Sequence, residues 1–201
     1  MSISSSTLIP FSSLSPLSPL NLSFETGDFS NWSVLGNASI ETAAFGSTPT
    51  NGTYQALISN GDGSVSDANL EAELGLSSGA LDDLGNGDAT EGSALQLAPI
   101  TVAAGDVLSF DYNFLTSEGT ASPFNDFGFI SISSGVLSEV ADTNSSFVPF
   151  TGEFGLQTGY GTYSYTFTTA GTYNIAVGVM DVGDTVADSA LLVDNFVLSS
   201  I

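Results

Sequence analysis

Three aspartates fall within eight residues in Asp181-Val182-Gly183-Asp184-Thr185-Val186-Ala187-Asp188, a loop-like stretch between two apolar segments. Glu118 and Asn125-Asp126 bracket a second such stretch, between two aromatic-rich segments. If both loops leave the same end of one fold, their carboxylates converge. Ca²⁺ takes six to eight oxygen ligands from such groups and from loop carbonyls. The spacing is not that of an EF-hand. Asp, Asn and Gly also belong in turns for conformational reasons, so solvated turns and a cation site both fit these stretches. The chain has 22 Asp and Glu but no Lys, Arg or His, and hence a formal net charge of −22. No side-chain ion pair can form, and a bound cation would relieve the mutual repulsion of the carboxylates.

A second constellation joins the two ends of the sequence. Glu25 follows Leu22-Ser23-Phe24, and Asp194-Asn195 interrupts the apolar run from Leu191 to Leu198. A charge inside such a run is costly unless it is partnered. A third group, Asp82, Asp83, Asn86, Asp88 and Glu91, is interleaved with glycines and also reads as a polar surface loop.

The same composition narrows the function classes. Without His, Cys, Lys or Arg the usual acid, base and anion-stabilising groups are missing, so the expectation is a protein that is not an enzyme. Nothing is present to neutralise phosphates, which argues against nucleic acid. No apolar run approaches the ~18 residues of a membrane span. The chain is nonetheless 42% hydrophobic and 10% aromatic over 201 residues, enough for one folded domain. The absence of Cys excludes a disulfide framework.

These groups must be positioned by strands. Short apolar and alternating runs recur every ten residues or so: Thr53–Ile58, Ser93–Leu97, Val107–Leu115, Asp126–Ser133, Gly161–Thr168, Thr172–Met180 and Leu191–Leu198, with Leu22–Phe24 opening the series. Tyr163-Ser164-Tyr165-Thr166-Phe167 alternates aromatic with hydroxyl residues, the period of a half-buried strand. Asp67 to Leu76 is the one helix candidate, with Asp67 as its cap, and Ala80–Leu84 adds a short turn. The expected fold is all-β, a jelly-roll β-sandwich over residues 21–201 with one short helix.

Residues 1–20 differ, being rich in Ser, Leu and Pro with no charge before Glu25. Ile3, Leu8, Ile9 and Phe11 make an apolar extended stretch, and Leu14, Leu17 and Leu20 recur at the period of a polyproline II helix. This segment reads either as a flexible tail or as an extended arm that docks on a neighbouring subunit as a donated strand.

Asn21-Leu22-Ser23-Phe24-Glu25-Thr26-Gly27-Asp28-Phe29, then Trp32, together with Leu192-Val193-Asp194-Asn195-Phe196, resembles the opening and closing strands of carbohydrate-binding-type jelly rolls. The resemblance implies that Glu25 and Asp194 help hold a structural calcium. The stretches 85–94, 108–118 and 179–184 are similar to secreted cyanobacterial and other bacterial surface proteins. Many of those end in a PEP-type sorting tail, which does not follow Leu198 here, so release or assembly outside the cell is expected. The acidic chain, with no ordinary signal peptide at its start, also resembles calcium-folded substrates of type I secretion.

The functional expectation is therefore an extracellular or cell-surface structural protein, a calcium-stabilised fibre or sheath subunit that forms a homopolymer through its arm. The alternative is a secreted calcium-dependent carbohydrate-binding or adhesin module with polysaccharide as partner. Trp32, Tyr54, Tyr160, Tyr163 and Tyr165 are the aromatic candidates for a sugar platform, although alternating aromatics in strands also serve as core.

Overall fold

The computed structural model describes residues 20–119 and 123–200. Among the described residues, thirteen strands build two antiparallel sheets. In chain order they are β1 (Trp32–Leu35), β2 (Asn37–Glu41), β3 (Gln55–Ser59), β4 (Val65–Ser66), β5 (Ala89–Val102), β6 (Val107–Thr116), β7 (Phe127–Ile132), β8 (Val136–Asp142), β9 (Val148–Pro149), β10 (Leu156–Gln157), β11 (Gly161–Thr166), β12 (Gly171–Val182) and β13 (Ser189–Ser199). The first sheet runs β1-β5-β12-β7-β8, with β4 also on β5; the second runs β2-β3-β13-β6-β10-β9, with β11 also on β6. The first and last strands of the sequence thus lie in different sheets, and long crossovers link the layers. This is the jelly-roll sandwich that the strand spacing implied.

Alternation explains why the sheets face each other. On β6, Leu108, Phe110 and Phe114 point into the core, while Ser109, Asp111 and Asn113 point away. On β12, Ile175, Val177 and Val179 meet them from the opposite sheet. Phe110 and Phe196 stack with ring centroids 4.6 Å apart, and Trp32 lies edge-on to Phe196 at 4.9 Å. Trp32 is buried, and its indole N–H donates to the Asn21 carbonyl at 2.9 Å, so no buried donor is left unmet.

The outer face of the first sheet is covered by α1 (Asp67–Leu74). Leu70 and Leu74 of the helix pack on Ala94, Phe127, Phe129, Ala176 and Met180. Ser66, not Asp67, caps this helix: its hydroxyl accepts from Asn69 N at 3.4 Å. A hydroxyl one residue earlier reaches the free N–H of the first turn, and Asp67 becomes the favourable acid inside that turn. Buried Glu71 ties the helix to the segment after it, accepting from Gly79 N (2.8 Å) and Leu81 N (2.9 Å).

The segment Leu22–Phe24 is a turn and not a strand. Phe24 sits at φ 63°, a left-handed conformation that breaks any strand, and its ring is driven into the core against Trp32 at 5.3 Å. Burial of the ring decides the local geometry. Of the arm, only Leu20 is described, and it is exposed; Ile3, Leu8, Ile9, Phe11, Leu14 and Leu17 lie outside the described residues, and so does the docking expectation built on them. Among the described residues, no helix is long and apolar enough to cross a membrane.

Candidate functional site

Asp126 immediately precedes β7, in phase with Gly128, Ile130 and Ile132, whose side faces the second sheet. Asp181 lies near the end of β12, in phase with Ile175, Val177 and Val179. Both carboxylates therefore sit on the inner face of the first sheet, where the two sheets begin to part. The opposite wall supplies Thr116 from β6 and Ser189 from β13, and Asn60 closes the end of β3. All five residues are buried.

Asp126 is well served. Its Oδ1 accepts from Val182 N at 3.0 Å, and its Oδ2 accepts from Ser189 Oγ at 2.6 Å and Asn60 Nδ2 at 3.4 Å. Ser189 Oγ also lies 2.8 Å from Thr116 Oγ1, which accepts from Glu118 N at 2.9 Å. Asp181 has none of this: it is 0% exposed, and neither carboxylate oxygen meets a protein donor. Two adjacent ionised carboxylates can only repel; they bond only through a proton or a cation held between them. Burial, then the Asp126 charge, and then Asp184 and Glu91 push Asp181 up to about 8. Asp126 is also raised, by burial first, against its hydrogen bonds and with a contribution from Glu118.

The other candidates from these loops divide. Glu118 is buried beside Asp126. Asp184 stands near Asp181, but its Oδ1 accepts from Val186 N at 3.0 Å. Asn125 turns toward the far end of β8, donating to Asp142 Oδ2 at 3.1 Å and accepting from Thr143 Oγ1 at 2.8 Å. Asp188 faces the other way, over the Gly61 backbone, where an added Cβ would lie 2.6 Å from its Oδ2. Among the described residues, no three acidic side chains are gathered closely enough to cage a metal ion by themselves.

Glu25 and Asp194 converge on the segment 50–54. Glu25 is exposed, and both its oxygens accept from Thr53 N (3.2 and 2.9 Å), one of them also from Tyr54 N at 3.1 Å. Asp194 is fully buried at a bulge of β13. Its Oδ2 accepts from Asn51 N at 2.8 Å and Thr50 Oγ1 at 3.3 Å, and its Oδ1 from Asn195 N at 2.6 Å. Each of the four oxygens accepts at least one hydrogen bond from the protein, and Glu25 Oε2 and Asp194 Oδ1 keep a lone pair beyond it, so the segment 50–54 gathers both residues that the resemblance assigned to calcium. In the acidic stretch after α1, Asp82 accepts from Ala89 N at 2.7 Å and Asn86 donates to Glu139 at 2.7 Å, while Asn86 Oδ1 is buried and meets no donor.

A groove of about 390 Å³ opens on the outer face of the first sheet, beside the C-terminal end of α1. Gln96 of β5, Ser131 of β7, Asn174 of β12 and Ser133 supply its polar lining; Leu74, Leu76, Leu137 and Ala176 supply apolar surface. Ser133 Oγ accepts from Asn174 N at 3.1 Å. The side chains of Gln96, Ser131 and Asn174 make no hydrogen bond to another described residue. No Asp or Glu lines the groove. Single amides among apolar residues carry no sequence signal, and only the fold brings these together.

The aromatic candidates do not form an exposed platform. Trp32 is core, Tyr54, Tyr163 and Tyr165 are half-buried against the same core, and Tyr160 donates to Gln55 Oε1 beneath the segment 147–155. No large aromatic side chain among the described residues is exposed.

No protein-family model and no curated relative matches the chain. Among solved structures, the K1 cleaved adhesin domain of Lys-gingipain from Porphyromonas gingivalis W83 is similar with a TM-score of 0.50 at 15% identity, covering 89% of this chain and 96% of that one. TmCBM61, solved in complex with β-1,4-galactotriose, gives 0.48 at 17% identity, covering 90% and 96%. Such identities speak to the fold alone, and the protein is a jelly-roll β-sandwich, similar in architecture to that adhesin domain.

Proposed function

We propose that this protein is an extracellular or cell-surface binding module, of the adhesin or carbohydrate-binding kind, which takes a neutral saccharide in the groove beside α1 and performs no catalysis. The observation that carries the reading is the charge of that groove. In a chain with 22 carboxylates and no base, the groove is lined by amide, hydroxyl and aliphatic groups alone. Amides and hydroxyls donate and accept, as a sugar's hydroxyls do, and the aliphatic walls suit its C–H faces. Because Gln96, Ser131 and Asn174 are not engaged elsewhere, a ligand would break no internal bond on entering. The volume falls within the range of small-ligand sites. The fold is shared with an adhesin domain, which supports a binding role without naming its ligand.

The test is a glycan array followed by calorimetry with the best neutral oligosaccharide. Asn174→Ala and Gln96→Ala should each weaken binding by about tenfold, the loss expected for one or two hydrogen bonds, with Tm unchanged. Saccharide binding that survives both substitutions, or no neutral saccharide bound at millimolar concentration, would refute the reading. Polymerisation through the arm has no supporting contact among the described residues and is not part of it.

A further inference from the structure

The Asp126–Asp181 pair plays no part in the proposed saccharide site, which lies on the other face of the same sheet. We propose that these two carboxylates hold one divalent, oxygen-seeking cation of the Ca²⁺ type between the sheets, tying the start of β7 to the end of β12. The leading observation is geometric. Asp181 is completely buried, in phase with core residues, and both its oxygens lack a donor. A buried carboxylate left this way costs several kcal/mol unless something positive reaches it. The chain offers no Lys, Arg or His that could do so. The surroundings deepen the need: Asp126, Asp184 and Glu91 all act on Asp181, and Glu118 acts on Asp126.

The chemistry of the available donors selects the ion. There is no thiolate or imidazole in the protein, and the Met180 thioether packs on the outer face beneath α1, so the pair is met by oxygen. Hard cations with flexible shells suit carboxylate, hydroxyl, amide and water ligands. The Asn60 amide turns its N–H toward Asp126 and its oxygen toward Ser189 N (2.7 Å), so the neutral ligands along the same layer are the hydroxyls of Ser189 and Thr116. Two carboxylates do not make a cage, and these neutral oxygens with water would complete the shell. A single proton shared by the pair is the competing occupant: it would bridge one oxygen of each residue and leave the second Asp181 oxygen unmet.

The experiment uses the full chain, stripped with EGTA and dialysed. Ca²⁺ is titrated calorimetrically at pH 7 in two buffers of different ionisation enthalpy, and Tm is followed in parallel. Binding should occur with one strong site that releases about one proton, because a raised carboxyl must give up its proton to the ion. Tm should rise with Ca²⁺ concentration. Asp181→Asn should abolish the strong site, the proton release and the Tm rise, whereas Glu25→Gln should keep all three. If Asp181→Asn does not fold, Asp126→Asn, which retains an acceptor for Val182 N, is read the same way. A wild-type protein that binds no Ca²⁺, or whose Tm Ca²⁺ leaves unmoved, would overturn the proposal in favour of the shared proton. Binding and proton release that persist in the aspartate variants would overturn it in favour of another site. None of these readouts involves saccharide, so failure here leaves the groove untouched.

Discussion

Replacing Asp181 by Asn keeps the side-chain volume and deletes the charge, so it isolates the electrostatic cost of the buried pair in metal-free protein. Burial and Asp126 lift the Asp181 carboxyl from 3.8 to about 8, a difference of roughly four pH units. At about 1.4 kcal/mol per unit the ceiling is ~6 kcal/mol. Sharing one proton with Asp126 and local relaxation bring the measurable part to about 2–3 kcal/mol. The sign follows from proton counting. Between pH 4 and pH 8 the native state keeps a proton that the unfolded chain has lost, so stability falls as pH rises through that window. In EGTA, the wild type should lose stability from pH 4 to pH 8 more steeply than Asp181→Asn. The two should converge near pH 4, where the protonated acid and the amide are equivalent donors to Asp126. At pH 8 the variant should be more stable by about 2–3 kcal/mol, roughly 4–12 °C in Tm for a domain of this size. Urea denaturation at several pH values and scanning calorimetry would measure it. Parallel pH profiles, or a variant less stable than wild type at pH 8, would refute the reasoning, since Asp181 would then have had a partner after all.

Glu71→Ala removes the acceptor for Gly79 N and Leu81 N, at a cost of about 2–3 kcal/mol in urea denaturation, and should also weaken saccharide binding, because Leu76, Ser77 and Ala80 border the groove. An unaltered urea midpoint would show that the segment after α1 is held by something else. At Gly92 an added Cβ would stand 2.2 Å from the Val179 carbonyl and 2.5 Å from Met180 Sδ, so Gly92→Ala should destabilise by at least about 2 kcal/mol with the denaturant slope unchanged. A change below ~0.5 kcal/mol would mean that β5 and β12 can separate more freely than their packing suggests.

Much of the sandwich was legible because its central strands carry strong patterns. β6, β7, β12 and β13 are near-continuous apolar or alternating runs, and their predicted limits differ from the observed ones by only a few residues. β8 was not legible: Val136–Asp142 is an edge strand with only Ala141 buried, so little hydrophobic period survives. β1 and β2 are short and half-exposed for the same reason. At the carboxylates, composition pointed to the two loops, and the period of two along each strand places Asp126 and Asp181 inward. What sequence could not show is the direction of Asn125 and Asp188, which sit on turns with no such period. Nor could it show Gln96 and Asn174 lining one groove, since that depends on the register of β5 with β12, which sets Gln96 opposite Ala176 and shifts at Asn174.

The two sites are joined by the strands that carry them, which raises the question of whether cation and saccharide are coupled. β12 presents Asn174 and Ala176 outward to the groove and Asp181 inward to the pair; β7 presents Ser131 outward and begins beside Asp126. From Asn174 to Asp181 is seven residues, ~23 Å along an extended strand. Coupling over that distance requires an element with two discrete arrangements that both sites bias. The path between them runs through β12 where it is paired on both sides, with β5 and with β7, and where Val177 and Val179 are fully buried. Close packing and pairing on both sides make a second arrangement there costly. A cation should therefore act on saccharide binding only by keeping the chain folded. Measured by calorimetry well below the metal-free Tm, saccharide affinity in EGTA and in Ca²⁺ should agree within about threefold, below ~0.7 kcal/mol of coupling. A tenfold loss in EGTA, with circular dichroism showing an intact fold, would refute this and place the cation in contact with the ligand or with a loop that closes over it.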